Sequence, residues 1–296
     1  MPWLQLTLEA THSNSEQLSE LLTQSGAAAV TLQDAHDNPI FEPPPGSTPL
    51  WKELLLTGLF EADADIDAIL KFIELKFGSY PVHTLNPLED KDWIREWMDN
   101  FKPMSFGERI WICPSWHQPP QPNAVNIMLD PGMAFGTGTH PTTSLCLKWL
   151  DKNYSTPVDV IDFGCGSGIL GIAANLLGSE QVYAVDLDPQ ALLATQSNAE
   201  KNQVLDKIAA LSVNEFNKKY SELQCPLLLA NILAAPLLEL SAMLASHVLP
   251  AGKIVLSGIL AEQADKVADS YRKWFNIDEI TQEDDWIRIV GTKQSS

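Results

Sequence analysis

A glycine-rich turn between a strand and a helix constrains the fold of this chain more than any other feature. The segment reads VDVIDFGCGSGILGIAA, in which an apolar run leads to Asp162 and glycines stand at 164, 166 and 168 before a helical stretch. Glycines at the carboxyl end of a strand let the backbone approach a ligand closely, and the next helix begins with free N–H groups. The segment therefore predicts the cofactor loop of a Rossmann-like α/β domain.

The spacing of these glycines leaves the identity of the cofactor open. Gly166, Gly168 and Gly171 also match the G-x-G-x-x-G pattern of dinucleotide-binding domains, and a tight structural turn is a third interpretation. In methyltransferases the acidic residue just before the glycines supports the amino-acid end of S-adenosylmethionine, whereas a dinucleotide loop has no need of it. Asp162 therefore favours S-adenosylmethionine, and we take Asp162 and Gly166 as candidate cofactor contacts.

Two further strands place polar side chains at the same edge of the predicted sheet. The strand QVYAVD ends at Asp186, where a carboxylate can accept both hydroxyls of a ribose, and Asp188 before Pro189 is typical of a helix N-cap. The strand CPLLLAN ends at Asn231. The side-chain carbonyl of Asn231 can accept an N–H from an amine and orient its nitrogen for in-line methyl transfer. A turn or helix cap is the alternative for an asparagine at this position.

A second glycine-rich segment, LDPGMAFGTGTHPTTSLCLKWL, predicts a loop that closes over a cofactor, followed by a helix that begins at a proline. His140 in this segment is a candidate catalytic residue with three possible roles. It could accept a proton, cap the helix, or support the loop through a hydrogen bond. An isolated histidine is more often a cap or a support than a base.

Alternating and helical patterns predict a small α+β ferredoxin-like domain over residues 1–86. Its predicted strands are 2–9, 27–33, 51–60 and 80–85, and its helices are 14–24 and 65–77. Aromatic residues then recur every four positions at Trp93, Trp97 and Phe101, which predicts a linker helix over 87–104 with this face buried.

Strands alternate with helices after Pro157, which predicts a mostly parallel sheet in a domain spanning 105–296. The last two predicted strands follow each other closely and form an antiparallel pair. The predicted strands of this domain are 108–113, 124–129, 158–163, 181–186, 208–213, 226–231, 252–258, 274–281 and 285–291.

Composition narrows the partners that this chain can bind. The 38 acidic and 19 basic residues give a formal charge of -19, which repels a phosphate backbone and argues against direct nucleic-acid binding. A basic partner fits this charge, although acidity can also serve solubility alone.

The four cysteines form no CxxC pair, so neither a zinc site nor any other metal site is predicted. With no signal-like or membrane-spanning segment, we expect a cytoplasmic protein and no membrane partner.

Four segments together resemble the ribosomal protein L11 methyltransferase family: DWIREWMDNFKPMSFGERIWICPSW, LDPGMAFGTGTHPTTSLCL, VIDFGCGSGILGIAA and LLANILAAPL. The resemblance extends from about residue 88 to the end of the chain. It implies a seven-stranded class I methyltransferase domain behind a small domain that recognises the substrate. It further implies the N-terminal α-amine and lysine ε-amines of protein L11 as substrates, and S-adenosylmethionine contacts at Thr143, Gly164, Asp186 and Asn231.

Alternatives from other classes stay open at this point. A small-molecule or nucleic-acid methyltransferase would share the fold, and a noncatalytic sensor would share the S-adenosylmethionine loop. A nicotinamide-dependent dehydrogenase would need a catalytic histidine or tyrosine paired with a charged anchor, and we find no such pair.

Overall fold

The structure is a computed structural model that describes residues 3–36, 38, 40, 47–79, 82–88, 101–130, 136 and 138–295. The chain divides into two compact units, Met1–Trp97 and Met98–Ser296. Residues 1–86, predicted as the first domain, fall within the first unit. Residues 105–296, predicted as the methyltransferase domain, fall within the second.

Alternating apolar side chains build a four-stranded antiparallel sheet in the first unit. Leu6, Leu8 and Ala10 of the first strand are buried against the two helices of the unit, whereas the residues between them are more exposed. The strand order β2-β3-β1-β4 and the succession β-α-β-β-α-β give the ferredoxin-like arrangement that the sequence predicts. The elements are β1 (Trp3–Thr11), α1 (Ser15–Gln24), β2 (Ala29–Asp34), β3 (Glu53–Glu61), α2 (Ile66–Phe77) and β4 (His83–Leu88).

The predicted linker helix over 87–104 is bounded by strands. Residues 87 and 88 belong to β4, and Met104 begins β5 (Met104–Phe106), so the ends of that prediction are wrong. Residues 89–100, which include Trp93 and Trp97, lie outside the described residues. The three-residue strand β5 is too short to show alternation, which is why the sequence did not predict it.

The second unit holds a seven-stranded sheet in the order β10-β9-β8-β11-β12-β14-β13, with β14 antiparallel to both of its neighbours. This fold class, a Rossmann-like sheet ending in a hairpin, is the one that the sequence predicts. A three-stranded sheet β5-β6-β7 accompanies it. The remaining elements are β6 (Ile110–Cys113), β7 (Val125–Met128), α3 (Pro141–Asn153), β8 (Val160–Phe163), α4 (Ile169–Leu176), β9 (Val182–Asp186), α5 (Pro189–Lys201), β10 (Ile208–Ser212), α6 (Val213–Lys219), β11 (Cys225–Asn231), α7 (Ala234–Glu239), α8 (Ser241–Ser246), β12 (Val248–Leu260), α9 (Ala264–Tyr271), β13 (Phe275–Glu283) and β14 (Trp286–Lys293).

Helices cover both faces of the seven-stranded sheet, so its interior strand β8 is buried throughout. Val160 belongs to the core cluster that includes side chains of α3, α4 and α5, whereas Ile161 and Phe163 belong to the cluster on the opposite face. Asp162 points to the same side as Val160, because side chains alternate along a strand. A carboxylate therefore lies inside an apolar layer at the end of this strand.

Candidate functional site

The turn after β8 has a backbone that only glycine adopts without strain. Gly164, Gly166 and Gly168 have φ angles of 79°, 55° and 78°, in the left-handed region. A Cβ atom on Gly164 would lie 2.1 Å from Cγ2 of Ile232, far inside van der Waals contact. The loop is therefore closely packed against Ile232, the residue that follows β11, and its glycines carry no side chains.

Neighbouring elements hold this loop through hydrogen bonds. The N–H groups of Gly164 and Cys165 both donate to the carbonyl of Val185, at 2.7 and 3.1 Å. From α5, Oγ1 of Thr195 donates to the carbonyl of Gly166 at 3.0 Å, and Nδ2 of Asn198 donates to the carbonyl of Ser167 at 2.8 Å. The loop is thus fixed before any ligand arrives.

Thr195 and Asn198 were not predicted from the sequence. They stand three positions apart, so they share one face of α5, and Thr195 is fully buried. Polar residues on the buried side of an amphipathic helix are the signal that could have found them.

Asp186 lies at the carboxyl end of β9 beside the loop, where the sequence predicts a ribose contact. Its Oδ2 accepts the N–H of Gly166 at 2.9 Å, and its Oδ1 accepts the N–H of Asp188 at 3.0 Å. Each carboxylate oxygen can accept a further hydrogen bond, so both can still receive a hydroxyl. Asp188 caps α5 by accepting the N–H of Gln190 at 2.9 Å.

Asp162 is buried beneath the loop, with 1% of its surface exposed. Its Oδ2 accepts the N–H of Gly171 in the first turn of α4 at 2.9 Å. Desolvation raises the pKa of Asp162 to about 7, because the loss of water outweighs this single hydrogen bond, and the nearby charge of Asp186 adds to the increase. Asp162 therefore supports the loop from inside the protein.

Asn231 at the end of β11 has a hydrogen-bond partner for its side-chain nitrogen but none among the described residues for its side-chain oxygen. Its Nδ2 donates to Oγ1 of Thr143 in α3 at 3.3 Å. Its Oδ1 is buried, and no described residue donates to it. Because a buried acceptor without a partner costs free energy, on the order of 1–3 kcal/mol, such an atom marks a place for a ligand donor.

His140 is the N-cap of α3. Its Nδ1 accepts the N–H of Thr142 at 3.4 Å and lies 2.8 Å from Oγ1 of the same residue. Burial lowers the pKa of His140, so the ring is neutral near pH 7. The ring also stands edge-on to Trp286, with 4.8 Å between the centroids. Trp286 was not predicted as part of the site, since nothing in its local pattern distinguishes it from other strand residues.

The segment before His140 is described only in part. Residues 131–135 and 137, with the glycine at 132, lie outside the described residues. The carbonyl of Gly136 accepts the hydroxyl of the buried Ser167 at 2.7 Å. This bond ties the end of the segment to the glycine loop.

The structure thus gathers the predicted residues at one edge of the sheet. Asp186 accepts the N–H of Gly166 in the glycine loop, and Asp162 accepts the N–H of Gly171 in the helix that follows. Ile232 connects the loop to the end of β11. Within the described residues, no cluster of three or more His, Cys, Asp or Glu side chains could hold a metal ion. No helix in the described ranges is long and apolar enough to cross a bilayer.

The chain is similar in sequence to the proteins of one known family. The family model for ribosomal protein L11 methyltransferases (PrmA) matches residues 2–294. A ribosomal protein L11 methyltransferase of Idiomarina loihiensis is 51% identical over 295 residues, which cover 99% of each chain. One from Marinomonas sp. (strain MWYL1) is 49% identical over 299 residues and covers 100% of both chains.

A solved structure is also similar to this chain. The crystal structure of a ribosomal protein L11 methylase from Lactobacillus delbrueckii subsp. bulgaricus aligns with a TM-score of 0.59 and 31% identity. The alignment covers 66% of this chain and 100% of that chain.

Proposed function

The chain belongs to the ribosomal protein L11 methyltransferase family, and we propose that it transfers methyl groups from S-adenosylmethionine to amines of ribosomal protein L11. The proposed acceptors are the N-terminal α-amine and lysine ε-amines. The first unit is proposed as the domain that recognises the substrate, and the cytoplasm as the site of action.

The described site residues suit S-adenosylmethionine. Gly164 and Gly166 carry no side chain and have left-handed φ angles, so the loop backbone can approach the amino-acid end of this cofactor closely, with Asp162 as support beneath. The two carboxylate oxygens of Asp186 suit the two ribose hydroxyls. Thr143 and Asn231 would complete the contacts. Bound S-adenosylmethionine supplies a methyl group on a positively charged sulfur.

The buried Oδ1 of Asn231, which has no donor among the described residues, is the observation that carries the proposal. A methyl acceptor must be a neutral amine, yet a free lysine has a pKa of about 10.4 and an α-amine about 8. Partial desolvation of the amine lowers its pKa, and the proton leaves to water. Oδ1 of Asn231 then accepts an N–H of the neutral amine and aims its lone pair for in-line displacement. His140 keeps α3 and its Thr142 in place, since its Nδ1 is already engaged.

Replacing Asn231 tests this proposal. We expect Asn231→Ala to lower kcat for methylation of protein L11 by roughly 100-fold, the loss seen when a preorganised hydrogen-bonding group is removed from a water-excluded active site. Calorimetry should show a dissociation constant for S-adenosylhomocysteine within about tenfold of the original.

Asn276→Ala provides the matched control, because Asn276 lies on the edge strand β13 and its Oδ1 only accepts a 3.4 Å hydrogen bond from Gln294. This control should retain full activity. Unchanged turnover in Asn231→Ala would remove Asn231 from the mechanism.

A further inference from the structure

The side chain of Asn231 is anchored by a residue far away in the sequence. Its Nδ2 donates to Oγ1 of Thr143, across 88 positions of the chain, at 3.3 Å. Thr143 is fully buried, and its backbone N–H donates to the carbonyl of His140 at 3.0 Å. The hydroxyl therefore sits at a fixed point in the first turn of α3, next to the end of β11.

The orientation of the Asn231 amide decides what it can do for an amine. The amide oxygen accepts a hydrogen bond, whereas the amide nitrogen only donates, and a half-turn about the Cβ–Cγ bond exchanges the two with little change in shape. With the oxygen available, the amide accepts an N–H and leaves the amine lone pair free to attack. If the amide nitrogen faced the substrate amine instead, it would donate a hydrogen bond to the amine lone pair and compete with methyl transfer.

From this contact we propose that Thr143 is a positioning residue: in the orientation observed, its Oγ1 accepts the Asn231 Nδ2–H, which anchors the amide and leaves Oδ1 to the substrate amine. The inference rests on the proposed function of Asn231 in methyl transfer. In this role Thr143 orients the side chain of Asn231, in addition to any contact that it makes with the cofactor. Two observations support it, namely the bond at Nδ2 and the absence of any described donor at Oδ1.

Two substitutions at Thr143 separate this role from a structural one. Thr143→Val keeps the branched shape and removes the hydroxyl, whereas Thr143→Ser keeps the hydroxyl. We expect Thr143→Val to lower kcat by at least about tenfold and to change KM and the S-adenosylhomocysteine dissociation constant by less than about threefold. Thr143→Ser should restore kcat to within about threefold of the original.

A double-mutant cycle shows whether Thr143 acts through Asn231. In an Asn231→Ala background, Thr143→Val should lower the remaining kcat by less than about twofold, because the amide that it positions is gone. A tenfold loss in that background would overturn the proposal. So would a Thr143→Val protein whose defect disappears at saturating S-adenosylmethionine, since that result assigns Thr143 to cofactor binding alone.

Nuclear magnetic resonance provides a readout that needs no turnover. With ¹⁵N-labelled asparagine, the Asn231 side-chain amide protons should show contacts to the Thr143 side chain and two distinct, narrow signals. Thr143→Ser should preserve this pattern, and Thr143→Val should shift and broaden both signals. Unchanged amide signals in Thr143→Val would refute the positioning role. If the unmodified protein methylates no ribosomal protein, the proposed function fails while this measurement still decides the role of Thr143.

Discussion

Burial changes the chemistry of Asp162. In water this carboxyl would be charged at neutral pH, but in the protein it is 1% exposed and has a pKa of about 7. One hydrogen bond, from the N–H of Gly171, stabilises the charged form. Because the unfolded chain has the ordinary value near 3.8, folding binds a proton at Asp162 between these two pH values.

This linkage predicts a pH dependence of stability. Since the folded state binds the proton more tightly, the Asp162 contribution to the free energy of unfolding is largest below pH 4 and is lost as pH rises to about 7. The loss amounts to at most roughly 4 kcal/mol, at about 1.4 kcal/mol for each pH unit. Asp162→Asn removes the titration but keeps an acceptor for Gly171.

Denaturant unfolding without cofactor, at several pH values from 5 to 8, measures this effect. We expect the free energy of unfolding of the original protein to fall relative to that of Asp162→Asn as the pH rises. Parallel curves for the two proteins would show that Asp162 has an ordinary pKa in the folded state.

The glycine loop illustrates how far the sequence predicts an element. The strand, the turn and the helix follow from local pattern, because apolar runs and glycines act within a few residues of each other. The supports from Thr195 and Asn198 could not be predicted in the same way, since they depend on how α5 packs some 30 positions later. The unsatisfied Oδ1 of Asn231 likewise depends on tertiary structure.

The strand limits show the same division between local and tertiary effects. The start of β12 was predicted at 252 but lies at Val248, and that residue pairs with Cys225 across a register shift. Leu249, Pro250 and Ala251 do not alternate like a strand, and Ala251 has a left-handed φ of 61°. The pairing of Val248 with Cys225 therefore sets the start of the strand, which the local pattern does not indicate.

Substitution of Gly164 tests whether the glycine loop tolerates a side chain at this position. We expect Gly164→Ala to weaken S-adenosylhomocysteine binding by more than about tenfold, because a Cβ would overlap Ile232 and force the loop to move. It should also destabilise the fold by more than the roughly 1–2 kcal/mol typical of an alanine in a left-handed backbone conformation. Calorimetry and thermal unfolding measure the two effects.

Gly178 provides the control for the backbone strain alone. It also has a left-handed φ, 115°, but a Cβ there would meet nothing within 4 Å. Gly178→Ala should therefore lose about 1–2 kcal/mol of stability and keep the cofactor affinity. Equal cofactor affinity in Gly164→Ala and Gly178→Ala would contradict the account of the loop.

The charge of the whole chain bears on how it meets its substrate. A net charge of -19 creates a long-range field that attracts a basic protein and repels nucleic acid. Salt screens such a field, with a Debye length of about 10 Å at 0.1 M.

This field predicts a salt-dependent encounter with the protein substrate. Raising sodium chloride from about 50 to 300 mM should raise the KM for protein L11 several-fold and leave kcat nearly unchanged. The dissociation constant of S-adenosylhomocysteine, whose binding depends on short contacts, serves as the control. A KM that does not respond to salt would show that the acidity of the chain serves solubility only.

Methylation of purified protein L11 is the decisive measurement of the proposed activity. The purified chain is incubated with labelled S-adenosylmethionine and purified ribosomal protein L11, and the product is examined by intact-mass and fragment-ion spectrometry. We expect methyl groups on the N-terminal amine and on lysines of L11. Binding of the cofactor with no methyl group on L11, or label in RNA or a small molecule instead, would contradict the proposed activity.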